Sequence, residues 1–227
     1  MDAKSRRCEF SIKKAHDAQL RLSKRIIFDD KLPRRIKYVA GVDVAYSDDF
    51  SIGAVVVLDY ATLECVEIQT ALCKTLFPYI PTLLSFREIP PATMSIKKLR
   101  IQPDVFLVDG HGFAHPYRCG FASHLGLIIG KPSIGVAKSR LLRDTVDVEA
   151  EKDVTFLRHK GEIVGARIIT KQECQPVYVS VGHMVSLETA IRIVKHCTCN
   201  SRIPKPILEA HKMANDKNAQ SPVLRSS

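Results

Sequence analysis

The sequence predicts an α/β protein with a mixed sheet, antiparallel in its first part and parallel in its later part, flanked by helices. Three runs of apolar and β-branched residues follow one another with short links at 37–47, 51–60 and 63–72, as in an antiparallel meander. Helical segments then alternate with apolar runs at 104–112 and 132–139, as in parallel strands joined by helices. A length of 227 residues fits a single domain spanning the whole chain.

The remaining elements are predicted from periodicity and capping. Spaced apolar residues among lysines and arginines indicate an amphipathic N-terminal helix at about 8–27. The other predicted segments are a helical stretch ending near Arg100, a helix at 118–129, a polar connection at 140–160, a hairpin at 162–170 and 176–182, a helix at 186–197 capped by Ser186, and a short helix after Pro204 and Pro206. The folded core is thus expected over about 37–212, with a disordered polar tail at 216–227.

The composition predicts an intracellular protein with a polyanionic partner. Thirty-four Lys and Arg against 24 Asp and Glu give a net charge of +10, which favours binding to nucleic acid or to an anionic surface. The seven cysteines are odd in number and include no C-x-x-C pair, so we expect free thiols in a reducing, cytoplasmic location. The charged N-terminus does not resemble a signal peptide, and no apolar run approaches the roughly 20 residues that span a bilayer.

Two aspartates stand in apolar strands. Asp43 lies inside the strand at 37–47, both faces of which are largely apolar, and Asp109 follows the apolar run 105–108. An ionised carboxylate there is costly unless it is paired or bound to a metal, although a turn residue bonded by backbone amides is the plainer interpretation of either aspartate alone. If the two strands are neighbours, both carboxylates reach one cation, and oxygen ligands without a Cys/His cluster favour Mg²⁺ or Mn²⁺ over zinc.

Further candidates have weaker support from the sequence. Glu88 is a third acid, with a solvated helix residue as its alternative interpretation. Lys138 follows a strand and could face a phosphate, although surface lysines are common, and His211 near the C-terminal helix could equally be structural. Gly112 would let the backbone approach a ligand closely. His115 lies near Asp109 without the spacing of a zinc site.

A stiff loop separates the third strand from the first internal helix. Its four residues are Pro78, Tyr79, Ile80 and Pro81, and we call them the proline loop. Proline fixes φ and cannot continue a helix interior or a central strand. The loop therefore presents an aromatic and an aliphatic side chain rigidly, either packed on the protein's own core or inserted into a partner.

Six short motifs occur between about Tyr38 and His211 in the order and with the gaps of one known family. They are VAGVDVAY, FPYIPTLLSFRE, PDVFLVDGHGFAHP, GFASHLG, PSIGVAKSRL and RIPKPILEAH. Together they resemble the endonuclease V family, the deoxyinosine 3′ endonucleases. The resemblance implies a ribonuclease H-like fold and a DNA repair enzyme that depends on Mg²⁺, for which Mn²⁺ can substitute. It also implies cleavage of the second phosphodiester bond 3′ to deoxyinosine, leaving 3′-hydroxyl and 5′-phosphate ends.

By motif position, the resemblance also assigns roles to residues. Asp43 and Asp109 resemble the family's metal-binding aspartates, and Glu88 resembles its third acidic residue, which we count among the metal ligands. Lys138 and His211 resemble the catalytic basic positions.

The resemblance assigns DNA contacts as well. Tyr79 matches the tyrosine of the loop that wedges into DNA at the lesion, so the proline loop is expected to contact DNA. Gly112 and the segment 114–116, which contains His115, fall where the lesion pocket is built.

Small departures and two alternatives stay open. Thr82 stands where many members have glycine, the glutamine of some members is replaced in the DGHG motif, and 144–162 resembles nothing specific. The first alternative is a ribonuclease H-like nuclease acting mainly on inosine-containing RNA or on other DNA structures. The second is a nucleic-acid-binding protein without catalysis. A monomer is expected in each case.

Overall fold

One nine-stranded sheet runs through a computed structural model that describes residues 11–47 and 49–220, with side chains through 216. The strand order is β3-β2-β1-β4-β5-β9-β8-β7-β6. The strands are β1 (Tyr38–Ser47), β2 (Phe50–Asp59), β3 (Cys65–Lys74), β4 (Val105–Asp109), β5 (Ser133–Ala137), β6 (Val146–Glu151), β7 (Val154–His159), β8 (Glu162–Ile168) and β9 (Val177–His183). The helices are α1 (Ile12–Ser23), α2 (Leu84–Ile96), α3 (Phe121–Ile129), α4 (Leu187–His196) and α5 (Lys205–Gln220).

Strand pairing confirms the predicted mixed sheet. Strands β1, β2 and β3 form an antiparallel meander, whereas β1, β4 and β5 are parallel neighbours. The predicted late hairpin is β8 and β9, which pair antiparallel. Strand β9 also pairs antiparallel with β5 and so joins the two halves of the sheet. Strands β1 and β4, which carry Asp43 and Asp109, lie next to one another inside the sheet, with further strands on both sides.

Helices cover the two faces of the sheet with separate apolar cores. On one face, α2 and α3 pack against residues such as Val42 and Val108. On the other face, α4 and α5 pack against residues such as Val39 and Leu107. Helix α5 approaches β1 very closely, because a Cβ added at Gly41 would lie 1.9 Å from the Pro206 carbonyl oxygen. This close approach brings the polar side chains of α5 over β1.

Several predicted boundaries were wrong. The stretch 140–160, predicted as a polar connection, contains strands β6 and β7. Strand β6 (VDVEAE) is a short, mostly exposed edge strand that does alternate apolar and polar residues, and the prediction overlooked this pattern within a polar stretch. The N-terminal helix ends at Ser23 rather than at 27, and its predicted start at 8 lies outside the described residues. The final helix is not short: it continues through Gln220, past the predicted start of the tail.

Two predictions from composition can be compared with the structure. All six cysteines within the described residues are free, as expected, while Cys8 lies outside that part of the chain. Among the helices that the structure describes, none is both long and apolar enough to cross a lipid bilayer.

Candidate active site

The two aspartates lie side by side on neighbouring strands. Val42 of β1 pairs in parallel register with Val108 of β4, so Asp43 and Asp109 are the next residues along their strands. Side chains at equivalent positions of parallel neighbours point to the same face of a sheet, and here that face carries α5. Asp43 is buried, and the side chain of Asp109 is 13% exposed. The structure therefore brings together the two carboxylates that the sequence singled out.

Each aspartate has a basic partner. The Nδ1 of His211 lies 2.7 Å from Oδ2 of Asp43, and Nζ of Lys138 donates to Oδ2 of Asp109 at 2.5 Å. The other oxygen of Asp43 accepts a hydrogen bond from the backbone N–H of Val44 at 2.8 Å. On α5, the Asn215 side-chain amide lies 3.3 Å from Nε2 of His211. Both basic residues named from the sequence thus contact the acids directly. The Lys138–Asp109 pair is a charge-assisted hydrogen bond, and the His211–Asp43 pair is one as well when the histidine is protonated.

Glu88 completes a group of three acids from the opposite side. It belongs to α2 and is only 8% exposed. Burial, followed by the charges of Asp43 and Asp109, raises its pKa well above the usual value. Burial and the charge of Asp109 likewise raise the pKa of Asp43. Carboxyl groups this close disfavour one another's ionisation, and a bound cation would offset the repulsion between their charges.

Two aspartates and a histidine are gathered closely enough to share one cation. Ligand atoms of Asp43, Asp109 and His211 all lie within 4.8 Å of one another. Glu88, predicted as a third ligand, is not in this group, while His211, predicted only as a catalytic base, is. The sequence does not show that α5 crosses directly over β1 and brings His211 to Asp43. The role of Glu88 as a metal ligand stays a prediction. Glu88 remains close enough for its charge to act on the site.

Tyr46 is a site residue that sequence reasoning missed. Its hydroxyl hydrogen-bonds the carboxylate of Glu88, and the Arg87 guanidinium lies 4.2 Å from the centre of its ring. Tyr46 lies three residues beyond Asp43 on β1 and therefore points to the opposite face of the sheet, towards α2. From the sequence, a tyrosine near the end of an apolar strand is most simply interpreted as a core residue. Its contact with Glu88 becomes visible only when α2 is seen packed against β1.

We expect Glu88→Gln to stabilise the protein in the absence of metal. Because burial raises the pKa of Glu88, its ionised form weighs against the folded state, and stability due to this group falls as pH rises through the raised pKa. At pH 8 the metal-free variant should melt about 3 °C higher, the shift that about 1 kcal/mol produces in a domain of this size. Thermal melts with and without Mg²⁺ measure this shift in melting temperature. Glu64→Gln, at an exposed acid, is the control. A lower melting temperature for Glu88→Gln would contradict the expectation.

A cavity of about 230 Å³ opens beside the acids. Its lining combines residues from the proline loop, from α2 and from the segment after β4. The members most relevant to binding are Tyr79, Ile80, Pro81, Glu88, Asp109, Gly110, His111 and His115. The cavity thus connects the proline loop to the acidic group, and a ligand inside it would lie next to Asp109.

The histidines of this cavity are neutral at physiological pH. Burial is the main cause that lowers the pKa of His115 to about 3 and that of His111 to about 4. His115, which the sequence analysis names as a DNA contact, and His111, which it does not name, both line the cavity. Neutral imidazoles offer one donor and one acceptor each, which suits recognition of an uncharged base.

Gly112, which the resemblance assigns to the lesion pocket, packs inside the protein. It is buried and does not line the cavity; Gly110 does. Its N–H donates to Oγ of Ser180 at 2.9 Å, and its carbonyl accepts from the N–H of Gly120 at 3.0 Å. A Cβ at Gly112 would lie 2.2 Å from the carbonyl oxygen of Val181. The glycine therefore permits close packing against β9, and its N–H and its carbonyl are each already hydrogen-bonded within the protein.

Gly112→Ala should therefore damage stability more than recognition. The clash with the Val181 carbonyl predicts a loss of about 2–3 kcal/mol in the free energy of unfolding. Denaturant unfolding measures the loss, and binding assays on the folded fraction measure recognition. If Gly112→Ala kept the wild-type stability but lost lesion recognition, the expectation would be contradicted and Gly112 would have a role in binding.

The proline loop is exposed at its tip. The side chain of Tyr79 is 69% exposed, and Leu76, just before the loop, is 85% exposed. The residue before the loop is anchored, since the ring of Phe77 stacks on that of Phe86 with centroids 5.5 Å apart. An exposed aromatic side chain on an anchored, proline-stiffened loop is available to a partner, so the interpretation of a loop packed on its own core is not supported for Tyr79.

A family model described as Endonuclease V matches residues 20–212. The chain belongs to the endonuclease V family. An endonuclease V from Rippkaea orientalis is 44% identical over 213 residues, covering 92% of this chain and 93% of that protein. The crystal structure of endonuclease V from Streptomyces avermitilis matches with a TM-score of 0.85 and 37% identity, covering 93% of this chain and 95% of that one.

A further endonuclease V structure was determined with nucleic acid. The Ciona intestinalis enzyme, in complex with a 24mer DNA containing an inosine followed by a ribo-adenosine, matches with a TM-score of 0.81 and 32% identity, covering 92% of this chain and 98% of that one. Membership in the endonuclease V family confirms the resemblance drawn from the motifs. It makes the chain a nuclease, a DNA repair hydrolase that binds DNA. The individual roles of the site residues stay predictions.

Proposed function

We propose that this chain is a Mg²⁺-dependent endonuclease that cuts DNA at deoxyinosine. It hydrolyses the second phosphodiester bond 3′ to the lesion and leaves 3′-hydroxyl and 5′-phosphate ends. The observation that carries the proposal is the single cavity that runs from Tyr79 to Glu88 and Asp109. A base held there brings its own strand beside the acids. Family membership and the Ciona relative's complex with inosine-containing DNA support the same substrate.

The donor set suits a hard divalent cation. Asp43 and Asp109 would hold it, with His211 in reach, because their ligand atoms are already gathered and two of the three residues offer carboxylate oxygens. When bound, Mg²⁺, or Mn²⁺ in its place, would polarise the scissile phosphate and stabilise the negative charge that develops on it.

The basic residues can move protons and balance charge. When Nδ1–H of His211 donates to Asp43, Nε2 carries the lone pair, and this half-exposed ring can take a proton from the attacking water. The side chain of Lys138 is 44% exposed, so it can turn from Asp109 towards a phosphate oxygen and neutralise it. Glu88, held by the hydroxyl of Tyr46, orients the attacking water from the other side.

Recognition of the lesion uses the proline loop and the cavity. Tyr79 and Ile80 fill the space that the lesion base leaves when it is extruded, a step that costs least for a damaged or mispaired base. Hypoxanthine carries a carbonyl oxygen where adenine carries an amino group. Gly110 and the neutral rings of His111 and His115 supply uncharged groups to read that edge, and a site built from hydrogen-bonding groups rejects a base that leaves them unpaired.

A second candidate substrate is inosine-containing RNA. The DNA bound to the Ciona relative carries a ribonucleotide directly after the inosine, so that enzyme accommodates a 2′-hydroxyl at this position. The same chemistry would serve both sugars here. A monomeric state and an intracellular location stay predictions from the sequence.

The proposal is tested by cleavage of an end-labelled duplex with one deoxyinosine, with Mg²⁺ or with EDTA. An undamaged duplex and a matching inosine RNA serve as controls. We expect a Mg²⁺-dependent nick one nucleotide beyond the lesion on its 3′ side. Faster cutting of the RNA would make RNA the preferred substrate. Equal cutting of the undamaged duplex would contradict lesion recognition, and binding without cutting would favour a non-catalytic protein.

A further inference from the structure

Thr82 directly follows the proline loop and has an unusual backbone conformation. Its φ angle is +71°, in the left-handed region that residues with a Cβ rarely adopt. Glycine enters this region without strain, whereas the Cβ of threonine opposes it. This chain therefore keeps the conformation with a residue that opposes it, and other contacts must hold Thr82 in place.

Three side chains converge on Thr82. The Nε2 of Gln19 donates to the Thr82 carbonyl at 2.9 Å, and Nε2 of His16 lies 3.0 Å from its Oγ1. The ring of His115 also hydrogen-bonds the Thr82 backbone. Because Nδ1 of His115 accepts from the N–H of Tyr117 at 3.2 Å, the other ring nitrogen carries the proton and donates to Thr82.

Gln19 joins two parts of the recognition site. Its Nε2 also donates to the carbonyl of Cys119 at 3.0 Å, in the segment between His115 and the start of α3. The side chain is fully buried in α1, and its Oε1 finds no hydrogen-bond partner among the described residues. Burying an amide with one end unpaired is unfavourable. A leucine would fill the space as well, so the two donated hydrogen bonds are what this glutamine supplies.

His16 supports the same arrangement. Its ring stacks on that of Tyr117, with centroids 3.9 Å apart and planes 12° apart. Helix α1, through His16 and Gln19, thus contacts Thr82, which follows the proline loop, and also the segment between His115 and α3, which forms the other wall of the cavity. We call His16, Gln19, Thr82 and His115 the loop anchor.

We propose that the loop anchor holds the proline loop in its lesion-reading conformation before DNA binds, and that Gln19 is a positioning residue for lesion recognition. This inference rests on the proposed function. A loop already ordered in the free protein loses little conformational entropy on insertion, so more of the contact free energy appears as affinity for the lesion. The N-terminal helix, which bears no acidic site residue, thereby controls specificity.

The test uses Gln19→Met, which keeps a long side chain and removes both donors. Gln69→Met is the matched control, since Gln69 bonds Glu67 on β3, away from the cavity. In the free protein, hydrogen exchange of the amides in 76–83 should become about tenfold faster in Gln19→Met, with β1, β4 and β5 unchanged. Gln69→Met should leave 76–83 unchanged. Faster exchange over the whole chain, or an unchanged exchange rate in 76–83, would refute the proposed role of the loop anchor.

Recognition gives the second readout. The preference of Gln19→Met for a deoxyinosine duplex over a plain one should fall about tenfold through KM, with kcat at saturating substrate retained. Adding Thr82→Gly should restore part of the preference, because glycine adopts φ near +71° without strain. An unchanged preference, or a loss in kcat alone, would overturn the positioning role. Wild-type protein without any deoxyinosine preference would instead refute the proposed function, while the exchange data would still report on the anchor.

Discussion

Asp43→Asn is expected to abolish cleavage while leaving lesion binding intact. The substitution preserves shape but removes the charge that Asp43 shares with Asp109 at the candidate metal site. It also replaces the acceptor that faces His211. Loss of about 4 kcal/mol of transition-state stabilisation corresponds to about a thousandfold lower kcat.

Single-turnover cleavage of a deoxyinosine duplex, beside equilibrium binding of the same duplex, measures both properties. The control is Asp153→Asn, an exposed aspartate near the start of β7. Since Asp43 is one of three mutually repelling acids, the metal-free variant should also melt no lower than wild type. Cleavage within tenfold of wild type would remove Asp43 from the mechanism. A large fall in melting temperature would assign the loss to folding instead.

Tyr79→Ala should lose discrimination between damaged and plain DNA without losing stability. The side chain is 69% exposed, so its removal leaves the core intact. Stacking of an aromatic side chain on a base contributes about 1–3 kcal/mol, which predicts a preference for the lesion about 5- to 150-fold weaker. The cleavage chemistry should survive, because Tyr79 belongs to neither the acidic group nor its basic partners.

Two variants control this experiment. Tyr79→Phe keeps the ring and should keep the preference, while Leu76→Ala removes an even more exposed apolar side chain that does not line the cavity. Fluorescence of 2-aminopurine placed next to the deoxyinosine reports unstacking directly. If Tyr79→Ala bound both duplexes with the wild-type ratio, the wedge role would be refuted.

The sequence alone carried the fold class and most of the site. Asp43 and Asp109 stood out because charged residues in apolar strands are costly, a property visible in one dimension. The proline loop stood out because proline restricts the backbone wherever it occurs. Strand β6 was missed although VDVEAE alternates apolar and polar residues, because the run is short, acidic and exposed and so resembles a polar connection.

Contacts between distant segments were decided only by the tertiary structure. The sequence could not place His211 within 2.7 Å of Asp43, since the two are 168 positions apart and meet only because Gly41 admits α5 against β1. Nor could it show that Gly110, rather than Gly112, lines the cavity, or that Gln19 bonds the residue after the proline loop. Local chemistry and periodicity are properties of neighbouring residues. Ligand sets and anchors depend on which surfaces pack together, and packing is set by the whole chain at once.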